Sequence, residues 1–252
     1  RSAWNTCNTL VENSDGGTDV CSIYMPSFAS ISFSGSDPLE ITHDYSVQMT
    51  VRGNGSTVVG NSNRLISCTS AFDLYQNVTL MDFSLVSFGS ATINGGAIYA
   101  KGLTNLELFN MMLSGNEGVN GGSLYLDGIN GIFVSSLRIQ DCVFEYDRSI
   151  CDNDPCIYDA KGGKGGSIYM QYMKSDSVNI IKSNFSGTFS LNNGGSIYLS
   201  YSDTASIEQC NFTDTSSGSS GLSSISGSSG GSIYLSYSDS ASIEQCSFTG
   251  TS

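Results

Sequence analysis

The run Gly194-Gly195-Ser196-Ile197-Tyr198-Leu199-Ser200-Tyr201-Ser202-Asp203 returns unchanged 36 residues later, at Gly230 to Asp239. Ala205-Ser206-Ile207-Glu208-Gln209-Cys210 likewise returns as Ala241 to Cys246. Self-similarity at such a period marks a stacked repeat, in which each unit buries its apolar side only against its neighbours. Degenerate copies of the Gly-Gly-x-Ile/Leu-Tyr signature begin at Gly95, Gly121 and Gly165. An apolar anchor precedes each: Phe88, Leu113, Phe144, Phe185 and Phe212, with Phe248 in the last copy. Five residues before the anchors stand Phe83, Leu108, Ile139, Ile180, Ile207 and Ile243. Seven before stand Met81, Leu106, Leu137, Val178, Ala205 and Ala241, and two before stand Val86, Met111, Cys142, Ser183, Cys210 and Cys246.

Within each unit the apolar positions alternate, which is the period of a strand rather than a helix. The inward phase shifts between five and two residues before the anchor, so a corner is expected there. Short strands, corners and one coil per repeat predict an all-β chain: a single-stranded, right-handed parallel β-helix, or solenoid, with an N-terminal cap. Residues 1–28, with Trp4 and two cysteines, are expected to form the cap, and 29–252 the β-helix. Loop insertions are expected near 145–164 and 216–229, the latter a Ser/Gly tract. The paired glycines are expected to supply positive φ or close packing at a turn. The chain begins at Arg1 without a signal-peptide pattern and stops inside a repeat, so the native polypeptide is expected to be processed and to continue.

Composition narrows the function classes. Charged residues are 13% of the chain, about half the roughly 25% of an ordinary soluble domain. Net charge is −13, a poor match for nucleic acid or an anionic membrane. A single histidine, His43, excludes a multi-histidine metal site. No stretch approaches the ~20 apolar residues of a membrane-spanning helix. No cofactor is expected.

Cysteine usage and sequons point outside the cell. Cys7 and Cys21 flank a polar loop, and Cys151 and Cys156 flank Asp152-Asn153-Asp154-Pro155. Both pairs read as local disulfides. The alternative for Cys151 and Cys156, a metal knuckle, lacks a second cysteine pair at ligand spacing. Asn54, Asn77, Asn184 and Asn211 open N-x-Ser/Thr sequons and are candidate glycan sites. Asn184 and Asn211 hold the same place on consecutive coils, one residue before the anchor, and should face out. An extracellular or cell-surface protein is expected.

Gly95-Gly96-Ala97-Ile98 is similar to the Gly-Gly-Ala-Ile repeat of polymorphic outer-membrane proteins and related right-handed β-helix surface proteins, and the later Gly-Gly-Ser-Ile units resemble it. In that family a Phe-x-x-Asn motif precedes the glycine pair. Here Leu113-Ser114-Gly115-Asn116 approximates it, whereas Phe88, Phe185 and Phe212 lack the asparagine. The resemblance spans about residues 78–252. It implies a secreted or cell-surface β-helix with an adhesive or structural role, and a right-handed sense, which is also the rule for parallel crossovers. It does not imply an autotransporter barrel.

Chains of this architecture also include polysaccharide-degrading enzymes, so candidate carboxylates matter. Asp82 and Glu107 share a column six before the anchor, where adjacent coils would bring them together; two solvated outward residues is the plainer reading. Asp152 and Asp154 could hold Ca²⁺, or simply cap a turn. Glu208 and Glu244 stack as equivalents, as do Asp203 and Asp239, and are expected to splay into solvent rather than hold a cation. Cys210 and Cys246 should stack facing inward, as free thiols or within disulfide range. Tyr99, Tyr125, Tyr169, Tyr198 and Tyr234 each follow an inward Ile or Leu, so an exposed aromatic ladder is expected. It could bind sugar, pack against another chain, or only stabilise the sheet. Tyr172, Tyr201 and Tyr237 form a second column of unassigned facing.

The leading expectation is a non-enzymatic structural protein: a subunit or segment of a glycosylated filament, fibre or coat. Its partner would be itself, or further repeats, through head-to-tail or lateral contacts. No cap is visible at the C-terminal end, which is expected to pair. The alternatives are a carbohydrate- or cell-binding adhesin using the tyrosine ladder, and a polysaccharide lyase or hydrolase.

Overall fold

The computed structural model describes residues 19–33, 38–41, 47–60, 62–69, 76–103, 105–128, 134–150, 163–218 and 230–251. Cys7, Trp4, Cys151, Cys156, Asp152 and Asp154 lie outside these residues, as does most of both expected insertions. Among the described residues the chain is all strand and turn, without a helix. Among the described residues every strand pairing is parallel, and strands bond to their counterparts on neighbouring coils.

One coil shows the pattern. Asn105–Phe109 lies on a first face, Met112–Ser114 on a second and Leu124–Asp127 on a third, with the two-residue strand Glu117–Gly118 between the second and third. Alternation decides what is buried: Leu106 and Leu108 point in, while Asn105, Glu107 and Phe109 are half-buried. The first face then runs in register through Leu106, Leu137, Val178, Ala205 and Ala241, and through Leu108, Ile139, Ile180, Ile207 and Ile243. The second carries Leu113, Phe144, Phe185, Phe212 and Phe248. The third carries Ile98, Leu124, Ile168, Ile197 and Ile233. As far as Ala205, Ile207, Phe212 and Ile197 these columns make one continuous core, with Ile233 partly buried against it.

The phenylalanines stack ring on ring, with centroids 4.8 Å, 4.9 Å and 4.9 Å apart and planes within 5°. Phe144, Phe185 and Phe212 are fully buried. Offset stacking of this kind adds about 0.5–1.5 kcal/mol per pair beyond area burial.

The first recognisable unit needs a correction of three residues. Leu85, not Phe88, is the partner of Leu113. Leu80 and Val78 then pair with Leu108 and Leu106, in place of Phe83 and Met81. Phe88 is buried too, but one corner further on, packed against Phe33. The ladder also reaches further towards the N-terminus than the start of the expected β-helix. Asp19–Tyr24 pairs with Val47 to Arg52, and Ser30–Ser32 with Thr57 to Val59. Inside the expected insertions, Arg148–Ser149 and Ser216–Ser217 also belong to parallel pairings.

The glycine pair has two separate causes. The first glycine has positive φ in every copy, from 63° at Gly165 to 73° at Gly230. The second is held by space: a Cβ on Gly166 would lie 2.0 Å from the Gly195 carbonyl oxygen of the next coil. Side-chain atoms cannot occupy that position, so coils stack at strand spacing only if glycine stands there. The expected corner between the first and second faces is a left-handed residue at one fixed place: Asn110, Asp141, Lys182, Gln209 and Gln245 have φ of 48–54°.

Candidate functional site

Tyr99, Tyr125, Tyr169, Tyr198 and Tyr234 turn away from the core and pack as a cluster of their own. Their rings stack 5.0–5.2 Å apart and within 7° of parallel. They are not an exposed ladder. Tyr125, Tyr169 and Tyr198 keep 7%, 6% and 8% of their surface, and Tyr99 and Tyr234 are half-buried. Each of the three inner rings has a ring on both of its faces, and cations approach two members of the row. Arg64 sits 4.4 Å from the Tyr99 ring centre and Lys164 5.0 Å from that of Tyr198. The Tyr125 hydroxyl donates to Asp127 Oδ2 at 3.1 Å, and the Tyr169 hydroxyl donates to Gln171. Burial, with the Asp127 charge as second cause, raises the Tyr125 hydroxyl far above the ordinary phenol value. Burial likewise raises Tyr169 and Tyr198, and lowers Lys164 and Arg64. Tyr125, Tyr169 and Tyr198 are therefore packed on both ring faces within a buried polar seam.

The exposed aromatic row is the second one. Tyr172, Tyr201 and Tyr237 stack at 5.0 Å and 4.6 Å and keep 44%, 45% and 74% of their surface. All three sit in the left-handed region, at φ 57°, 56° and 53°, on the corner between the third and first faces. Gly102 occupies the same place, four residues after its inward Ile98. A bulky residue in that conformation costs roughly 1–3 kcal/mol, and such strain concentrates where a side chain is needed for something besides folding.

The carboxylates do not converge. Because the first coil shifts by three, Glu107 lies beside Thr79, whose hydroxyl donates to Glu107 Oε2 at 3.1 Å. Asp82 lies instead beside Asn110, which donates to it at 3.1 Å, and is ion-paired with Arg52 at 3.2 Å. Asp82 and Glu107 therefore form no acid–base pair. Glu208 and Glu244 are in register, and each accepts from the serine two residues earlier, Ser206 and Ser242. Among the described residues no group of three or more His, Cys, Asp or Glu is arranged to hold a metal.

Of the sequon asparagines, Asn54, Asn184 and Asn211 are exposed and Asn77 is half-buried. Asn184 and Asn211 form an amide ladder: Asn211 Nδ2 donates to Asn184 Oδ1 at 2.9 Å, and Ser247 Oγ donates to Asn211 Oδ1 at 2.7 Å. The Asn54 amide donates to the Met25 carbonyl at 3.1 Å. Cys21 is disulfide-bonded. Cys142, Cys210 and Cys246 are free thiols.

One charged group escaped the sequence reading. Asp147 is fully buried three residues after the Phe144 anchor. It accepts from the Asn116 N–H at 3.0 Å and from Ser123 Oγ at 2.5 Å. Burial pushes its carboxyl up to about 7, with the hydrogen bonds from Ser123 and Asn116 pulling the other way. The same corner recurs as Thr188 with Ser196 (2.7 Å) and Thr215 with Ser232 (2.6 Å). The signal was a polar residue three after the anchor, facing the third residue of the glycine motif. Comparison with protein-family models, curated proteins and solved structures found no match.

Proposed function

We propose that the chain is a right-handed parallel β-helix serving as a structural segment of an extracellular filament, fibre or coat. The observation that carries this reading is self-complementarity. Neighbouring coils repeatedly meet through like side chains: Phe185 on Phe212, Tyr198 on Tyr234 and Asn184 on Asn211, in register. A coil surface that fits its own copy within one chain also fits that copy in another chain. The Cys21 disulfide and the exposed sequon asparagines support a place outside the cell.

Electron microscopy of the purified protein over a range of concentration and ionic strength tests this. Filaments or ordered sheets are expected, and particles that stay monomeric throughout overturn it.

The exposed corner row favours a second reading, an adhesin. Stacking uses the inner faces of these rings, so a partner would meet hydroxyls, ring edges and the free face of Tyr237. Glycan-array binding that disappears in the Tyr172→Ala/Tyr201→Ala/Tyr237→Ala variant would establish it. Binding that survives this change would refute it.

A further inference from the structure

We propose that Cys210 and Cys246 are a disulfide-forming pair that ties together the two most similar coils of the chain. They occupy consecutive rungs: Glu208 with Glu244 and Asn211 with Ser247 are in register on either side. The Cys210 N–H donates to Cys246 Sγ at 3.4 Å, and the two thiols lie within hydrogen-bonding reach of each other. Strand spacing of about 4.8 Å falls inside the range of about 4.4–6.8 Å over which a disulfide spans two Cα atoms. The third thiol of this column has no such neighbour. Ser183 follows Cys142, whose N–H donates to Ser183 Oγ at 3.2 Å.

The two sulfurs differ in reactivity. Burial pushes the Cys210 thiol up to about 11, so it is a poor first nucleophile. Cys246 is only half-buried, so its sulfur is the one of the pair that an oxidant in solvent reaches first. With a small disulfide such as oxidised glutathione as oxidant, the Cys246 thiolate attacks one sulfur. That step forms a mixed disulfide and expels one glutathione thiolate. Cys210 then loses its proton to solvent and attacks Cys246 Sγ, expelling the second glutathione. Both protein thiols are oxidised, one glutathione disulfide is reduced to two thiols, and the bond closes across the Ser216–Ser229 tract. Joining the ends of that tract restrains the unfolded chain more than the folded one.

The test is refolding of the whole chain in oxidised and reduced glutathione, then alkylation and digestion by a protease that cleaves after glutamate. Cleavage at Glu208 and Glu244 places Cys210 in peptide 209–244 and Cys246 in peptide 245–252. The expected result is a reducible species joining those two peptides, with complete loss of alkylation at both cysteines. Cys246→Ser should restore modification of Cys210 by the alkylating agent or by glutathione. Recovery of both cysteines as free thiols, as separate glutathione adducts, or joined to other cysteines overturns the assignment. The readout is independent of whether the protein forms filaments.

Discussion

The backbone N–H of Asn116 donates to Oδ1 of Asp147, one coil further on, at 3.0 Å inside the stack. A carboxyl in this position makes folding sensitive to pH. In the unfolded chain it titrates near 4, and in the folded chain at about 7. Between those values the folded state holds the extra proton. Its contribution to stability is therefore complete below about pH 4 and declines as pH rises through about 7. About 4 kcal/mol would be lost over that window. Asp147→Asn should flatten this part of the profile in denaturant titrations at pH 4, 6 and 8. An unchanged slope in the variant would remove Asp147 as its source.

Gly166 and Gly115 separate the two reasons for glycine. A Cβ on Gly166 meets backbone oxygen at 2.0 Å, so Gly166→Ala must push two coils apart. We expect more than about 3 kcal/mol of destabilisation, or failure to fold. Gly115 has φ 62° but only Ser87 Oγ near, at 3.9 Å. Gly115→Ala should cost only the left-handed penalty, about 1–2 kcal/mol. Thermal melts of the two variants decide the order.

Phe185 is sandwiched between Phe144 and Phe212. Truncating it to alanine should cost about 3–5 kcal/mol. Phe185→Leu, copying Leu113 in the same column, should cost less than about 1.5 kcal/mol. Equal losses in the two variants would show that ring stacking, rather than volume, holds this face.

Tyr201→Gly removes two opposing terms. It relieves a left-handed tyrosine, worth about 1–2 kcal/mol, and loses stacking of similar size against Tyr172 and Tyr237. Stability should change little, by about 0.5 kcal/mol or less, while association or ligand binding through this corner is lost. A large drop in melting temperature with association intact would make the row purely structural.

The inward columns were legible because one apolar sign recurs at fixed offsets from Leu113 onward. The first unit misled because residues 83–88 hold several apolar residues, and Phe88 imitates an anchor although Leu85 fills that place. Everything read from that frame, including the Asp82–Glu107 column, moved with it. The direction of the first tyrosine row followed from alternation. Its burial did not, because Arg64 and Lys164 reach it from other parts of the chain. Asp147 was hidden because its column changes chemistry from Phe88 to Asn116, Asp147, Thr188 and Thr215, with no repeated residue type to draw the eye.

Hydrogen bonds between strands of this chain run from one coil to the next. Tension applied along the stack therefore acts on the interfaces in series, and the weakest yields first. Each coil that peels away, such as the 27 residues separating Asn184 from Asn211, releases roughly 90 Å of slack at about 3.3–3.6 Å per residue. A fibre built this way would lengthen in steps and absorb work before it broke.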